Sequence, residues 1–250
     1  DAAFLKHLLD ASDRGASDLT VAGKLFCDRF PPDKIPALPT CGIFLRREFP
    51  LKNNLEFPEG IHPCEDGLFS HFVLALTEKI SFCPEAVYHY RQHEQGNHHQ
   101  IRKRTADILP MIPRWLSLIE EFYEQRHLWK RKAGHLVRFI EHEPFELRLL
   151  GMPFSPPEQE ILYSIIRDFL NAHCTAAECR RASLHLPFRL LLQSSGFSDF
   201  GRRLRRAGKN TGIRRKLLHF CPVPSWRRNG RAQLRQVREQ LEEIRRNITF

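Results

Sequence analysis

The chain has 250 residues, 42% of them hydrophobic and 27% charged, which allows one good core or a core with a smaller appendage. No run of about 18 apolar residues exists, which excludes a membrane-spanning helix. Seven scattered cysteines, at 27, 41, 64, 83, 174, 179 and 221, form no CxxC pair and fit a reducing, cytosolic compartment better than a disulfide framework or a zinc site. The formal charge of +10 is localised. Thirteen of the 39 Lys and Arg, and no Asp or Glu, lie between Arg202 and Arg238, leaving 26 basic and 29 acidic residues in the rest, a net of −3.

In chain order, the opening "DAAFLKHLLD" has neither an initiator Met nor a secretory signal layout, and the natural protein is expected to begin further upstream. Phe4, Leu5, Leu8 and Leu9 are at helical spacing over residues 2–14. A turn and a short strand, Leu19 to Phe26, should follow, then the proline-rich loop "RFPPDKIPALP". "TCGIFLRREFP" reads as a strand or helical turn with Arg46 and Arg47 exposed. After the acidic pair Glu65–Asp66, the residues Phe69, Phe72, Val73, Leu76 and Ile80 make one helical face. "KISFCPEAVYHYRQH" predicts strand, Pro84 turn, strand, with Tyr88 and Tyr90 sharing a face in the core. From residue 105 the pattern is helical, with core positions at Trp115, Leu118 and Phe122. Ser155 with Glu158, and Thr175 with Glu178, spell capping boxes. Leu234, Val237, Leu241, Ile244 and Ile248 form an a/d seam of about two heptads, too short for a stable coiled coil alone.

The acidic pair carries the densest chemical signal. A carboxylate at a helix N-terminus faces free N–H groups and the positive end of the dipole, so it stays ionised. One reading makes Glu65 and Asp66 helix caps. The other makes one of them a general base, which must be ionised and sit at a pocket rim to take a proton from a hydroxyl.

The order of elements around the pair resembles the family-2 glycosyltransferases of GT-A fold. Members show a segment like F-x-E-G-I-x-x-E-D-x-x-F, then a helix, a strand and Y-x-Y-R-x-[HR]. The matching residues are Phe57, Glu59, Gly60, Ile61, Glu65, Asp66 and Phe69, then Tyr88, Tyr90, Arg91 and His93. The resemblance covers residues 1 to about 100, with 125 as its outer limit, and it matches the second half of the catalytic domain. The nucleotide-binding βαβ half that opens that fold has no counterpart in these residues.

The resemblance implies α/β architecture, a partial GT-A fold without its Rossmann-like half, followed by a mainly α-helical C-terminal region. It places residues 1–125 in the catalytic domain, 126–200 in a helical extension and 201–250 in a basic segment with a C-terminal amphipathic helix. It implies an inverting transfer of sugar from a nucleotide-sugar donor to a glycan or lipid-linked acceptor in surface-polysaccharide synthesis. Asp66 would be the base, and Glu65 would shape the site. Asp1 would end the acidic motif that binds donor diphosphate and a divalent metal, Mn or Mg, and His93 would touch the metal or diphosphate. Arg91 would pair with a donor phosphate; an ion pair with Glu65 or Asp66 is its structural alternative. His93 has the alternative of a surface histidine, and His98 and His99 that of a solvated loop.

The basic segment 202–231 has three readings. It is a solvated surface, a nucleic-acid patch, or a peripheral anchor on anionic lipid at the inner membrane face, with Leu204, Ile213, Leu217, Leu218, Phe220 and Trp226 dipping between cations. The sugar-transfer reading favours the lipid anchor. A non-catalytic, basic helical module that binds nucleic acid is the competing class, and an inactive transferase domain kept for assembly is a third.

Overall fold

A computed structural model of the protein describes residues 3–89, 101, 104–183, 185–219, 235 and 239. They are mostly helical with one small mixed sheet, and the chain divides into two compact units, residues 1–143 and 144–250. The expected roles of Asp1, Tyr90, Arg91 and His93, and the seam from 234 to 248, lie outside what is described.

The first unit opens with α1 (Phe4–Arg14). Its inward stripe is Phe4, Leu8 and Ala11, spaced four and three, which meets Ala22, Cys83 and Ala86. Leu5 and Leu9 lie off this stripe and are exposed. Strand β1 (Leu19–Ala22) is fully buried at the centre of the sheet. It pairs antiparallel with β2 (Ile43–Leu45) and parallel with β3 (Ile80–Cys83). The strand expected to reach Phe26 stops at Ala22 because Gly23 turns the chain at φ +82°. The next residues form α2 (Lys24–Arg29), which carries a Lys24–Asp28 pair at 2.8 Å.

The proline-rich loop is tied down rather than free. The Leu38 N–H donates to Ser70 Oγ at 2.8 Å, and the Pro36 carbonyl accepts from the His71 ring at 3.0 Å. Ile35, Ala37 and Leu38 are buried as a result. Arg46, expected to be exposed, is half-buried and structural. Its guanidinium donates to the Ser17 carbonyl at 2.9 Å and to Asp13 at 2.7 Å, which pins the turn after α1 to the end of β2. Helix α3 (Glu48–Lys52) precedes the acidic motif.

Helix α4 (Glu65–Leu76) starts at the acidic pair. The expected single apolar face is too modest, since every residue from Gly67 to Ala75 is buried. A helix hydrophobic all round is a central core helix. Its polar members Ser70 and His71 are tolerated because the loop partners above satisfy them. After β3 the chain turns at Pro84, closed by the Ala86 N–H on the Cys83 carbonyl at 3.2 Å. The second strand expected there does not form over residues 86–89, and Tyr88 is 54% exposed, its ring meeting Phe4 instead of the core.

Helices α5 (Thr105–Ile108), α6 (Met111–Gln125) and α7 (Trp129–Ile140) complete the first unit. Trp115, Ile119, Phe122 and Tyr123 of α6 are buried, and Phe122 stacks on Phe72 of α4 at 4.2 Å. Helix α7 adds Leu136, Phe139 and Ile140 to the buried residues of this unit, which runs to Glu143.

A π-helical stretch, Glu141–Leu150, leads into the second unit. Helix α8 (Pro156–His173) begins at the expected capping box, with the Ser155 N–H donating to Glu158 at 2.7 Å. Helices α9 (Ala176–Ala182), α10 (Leu186–Gln193) and α11 (Phe197–His219) follow. Phe145, Phe188 and Phe200 pack as an aromatic cluster, and Tyr163 donates or accepts a 2.7 Å bond with Ser194. Arg167 donates to the Leu191 and Leu192 carbonyls and so caps the C-terminus of α10. Residue 200 lies within α11, whose Phe200 and Leu204 are both buried. None of the described helices is long and apolar enough to cross a membrane.

Candidate active site

The motif before α4 folds as a compact lead-in. Gly60 sits at φ +66° and lets Ile61 turn into the core, while Phe57 stacks on Phe69 at 4.1 Å and 16°. The two aromatic ends of the motif therefore touch. Cys64, the residue before the helix, is left-handed at φ +90°, a conformation that costs a non-glycine residue about 1–2 kcal/mol. That turn sets Glu65 and Asp66 in the first helical turn.

The two carboxylates have different surroundings. Glu65 is half-exposed and lies 3.3 Å from His62 Nδ1. Asp66 is more enclosed. It accepts the Gly67 N–H at 2.8 Å. Its proton affinity is nevertheless raised above the ordinary carboxylate value, first by burial, then by the negative charges of Glu143 and Glu65. Desolvation and like charge outweigh the Gly67 N–H donor in setting its proton affinity.

Glu143 was not foreseen from the sequence. It is 7% exposed, and its Oε1 lies 3.0 Å from where a Cβ on Gly67 would sit, with Cys64 Sγ equally close on another side. Only glycine at 67 allows that approach. A glycine within an apolar helical run, at about 1 kcal/mol against alanine, was the available signal of close packing. The Cys41 thiol, near Asp66, is also pushed up by burial.

Beneath this turn lies a second arrangement the sequence reading missed. His71 Nδ1–H donates to the Pro36 carbonyl, so Nε2 is the acceptor for the Tyr123 hydroxyl at 3.1 Å. With its proton used there, the Tyr123 oxygen accepts from His135 Nδ1 at 3.3 Å. The His71 and His135 rings stack at 4.2 Å. Burial drives the His71 pKa from 6.5 down to about 3, and His135 is lowered in the same direction for the same reason, with His71 and Arg138 adding to it. Both rings are neutral, and they serve the core rather than a ligand.

The structure thus brings Glu65, Asp66 and Glu143 together in the first unit. The open concavity of about 410 Å³ lined by Lys24, Asp28, Phe30 and Phe82 does not include them. Asp1 and His93, the expected metal ligands, and Arg91, the expected phosphate ligand, lie outside the described residues. No protein-family model matches the chain, and neither the curated proteins nor the solved structures that were compared include a match.

Proposed function

We propose that the chain carries the acceptor-side half of an inverting glycosyltransferase of the GT-A type, with Asp66 as general base. The observation that carries this reading is the setting of Asp66. It is a half-buried carboxylate in the first turn of α4, held by the Gly67 N–H, whose proton affinity is raised by burial and by Glu143 and Glu65. A base whose pKa moves toward the working pH transfers protons more effectively than an ordinary surface aspartate. The resemblance of the surrounding motif to family-2 enzymes supplies the substrate class: a nucleotide-sugar donor and a glycan or lipid-linked hydroxyl acceptor.

In the proposed step an Asp66 carboxylate oxygen takes the proton from the acceptor hydroxyl. The acceptor oxygen attacks the anomeric carbon as the bond from that carbon to the diphosphate oxygen breaks, and the nucleoside diphosphate leaves with the electron pair. Attack from the opposite face inverts the anomeric carbon. Glu65, 3.3 Å from His62 Nδ1, shapes the acceptor site. A divalent cation, Mn or Mg, supplies charge compensation for the leaving diphosphate when bound.

The test is release of nucleoside diphosphate from a panel of nucleotide sugars by the natural full-length protein, wild type beside Asp66→Asn. The expected result is metal-dependent turnover in the wild type that falls at least about a hundredfold in the variant, the usual weight of a general base. Equal turnover in the two proteins refutes the assignment of Asp66. Tight, salt-sensitive nucleic-acid binding with no turnover would favour the basic-module reading instead.

The lipid contact is proposed for the same protein with one amendment. Leu204 cannot be a lipid-facing residue of the basic segment, because it is 4% exposed within the second unit. Arg202 and Arg203 are engaged by Asp199 at 3.2 Å and 2.8 Å.

A further inference from the structure

The segment that leads into α4 carries two exposed groups that take no part in the proton transfer above. Phe57 lies face to face on Phe69, with ring centroids 4.1 Å apart and 16° between the planes. Phe69 is buried while Phe57 is 46% exposed, so one face of the Phe57 ring is covered and the other is open. Helical side chains lean back over the turn that precedes them, which carries Phe69 over the turn of Glu65 and Asp66. The open aromatic face therefore borders the candidate base. The second group is Arg114 of α6. It is exposed, and its two terminal nitrogens lie 3.5 and 3.7 Å from where a Cβ on Gly60 would sit, so the guanidinium rests against the bare backbone of that turn. Gly60 follows Phe57 by three residues, at most about 10 Å of chain. His62 and Glu65, 3.3 Å apart, add polar groups on the way to α4.

An apolar plate beside hydrogen-bonding groups suits a ligand that has both characters. A pyranose ring has them: its axial C–H bonds make an apolar face, and its hydroxyls surround the edge. We propose that Phe57 and Arg114 form a subsite for an uncharged sugar ring, stacked by its C–H face on Phe57, with its hydroxyls accepting from Arg114; that this ring is the acceptor rests on the transferase reading above. Charge selects against an acidic sugar. Glu56, Glu59, Glu65 and Asp66 all lie between residues 56 and 66, four carboxylates against the one guanidinium of Arg114. A uronate would enter a negative field, whereas an uncharged ring meets no such repulsion.

The experiment titrates the natural full-length protein with methyl β-glucoside, methyl β-galactoside and methyl β-glucuronide, reading the bound ring protons by saturation-transfer NMR. The expected result is saturable transfer to the C–H protons of a neutral glycoside, with weaker binding of the glucuronide. Phe57→Leu keeps Phe69 covered but offers no aromatic face. It should weaken neutral-glycoside binding about fivefold, and Phe57→Trp should restore it. Arg114→Leu should weaken it about tenfold. No transfer to either neutral glycoside, equal binding by wild type and Phe57→Leu, or tighter binding of the glucuronide would overturn the proposal. The two readings fail separately. Phe57-dependent glycoside binding in a protein that releases no nucleoside diphosphate removes the transferase and keeps the sugar subsite. Asp66-dependent turnover with glycoside binding indifferent to Phe57 removes the subsite and keeps the base.

Discussion

Acid should loosen the first unit through His71. The ring is fully buried and neutral, with its pKa carried from 6.5 to about 3. The unfolded chain takes a proton below about pH 6.5 and the folded chain does not, so the stabilising difference is present above that value and is lost as pH falls. One proton costs about 1.36 kcal/mol per pH unit. Between about pH 7.5 and about pH 4.5 the loss from His71 alone is therefore about 2.7 kcal/mol, a large share of a typical total of about 5–15 kcal/mol. His135 pushes the same way. The assay is urea unfolding at several pH values, followed by the fluorescence of Trp115 and Trp129. The reference is His71→Gln, whose amide can donate to Pro36 and accept from Tyr123 without titrating. Wild type should lose about 2.7 kcal/mol more than this variant over that range. Identical pH profiles for the two proteins would refute the claim that a neutral, buried His71 controls the acid limb.

Two further changes probe the same core helix. Tyr123→Phe removes the hydroxyl that joins the two rings and leaves His71 Nε2 without its donor. It should cost about 1–3 kcal/mol in urea unfolding at neutral pH, and no measurable cost would mean that the hydroxyl is not the link. Asp66→Asn should raise the urea midpoint at neutral pH, because the ionised carboxylate is desolvated and faces Glu143 and Glu65. Its folded pKa is raised, so the gain should shrink as pH falls toward the unfolded value of 3.8; a gain that persists or grows in acid contradicts the charge argument.

What could be read from the sequence was the short-range code. Both capping boxes, the start of α4 at the acidic pair, β3 and the Pro84 turn are set by residues within a few positions of each other, and the structure places them as expected. What could not be read depends on partners far along the chain. Glu143 reaches Gly67 because α6 and α7 fold back on α4, and no local pattern announces that. The His71–Tyr123–His135 network draws one residue from each of those three helices. Arg46 looked like a surface charge because its acceptors, Ser17 and Asp13, are carried there by the strand pairing of β1 with β2. Strand β1 was overextended because Lys24–Phe26 continue an apolar-rich run, while the deciding feature was the backbone of Gly23.

Helix α4 couples the candidate chemistry to the stability of the unit, because Asp66 and His71 stand within two turns of each other and titrate with opposite consequences. Asp66 favours the folded state when it is protonated, so its contribution is complete below 3.8 and fades as pH rises. His71 favours it when unprotonated, so its contribution is complete above 6.5 and fades as pH falls. Each is strained in the charged form for the same reason, desolvation against the same core. The histidines win in acid because there are two of them and because His71 is carried far from its ordinary value, while the Gly67 N–H offsets part of the burial of Asp66. Neutral conditions then leave the rings uncharged, while Asp66 carries a charge that burial, Glu143 and Glu65 disfavour. That is the arrangement a general base needs: the residue that costs stability when ionised is the one with the most to gain by taking a proton.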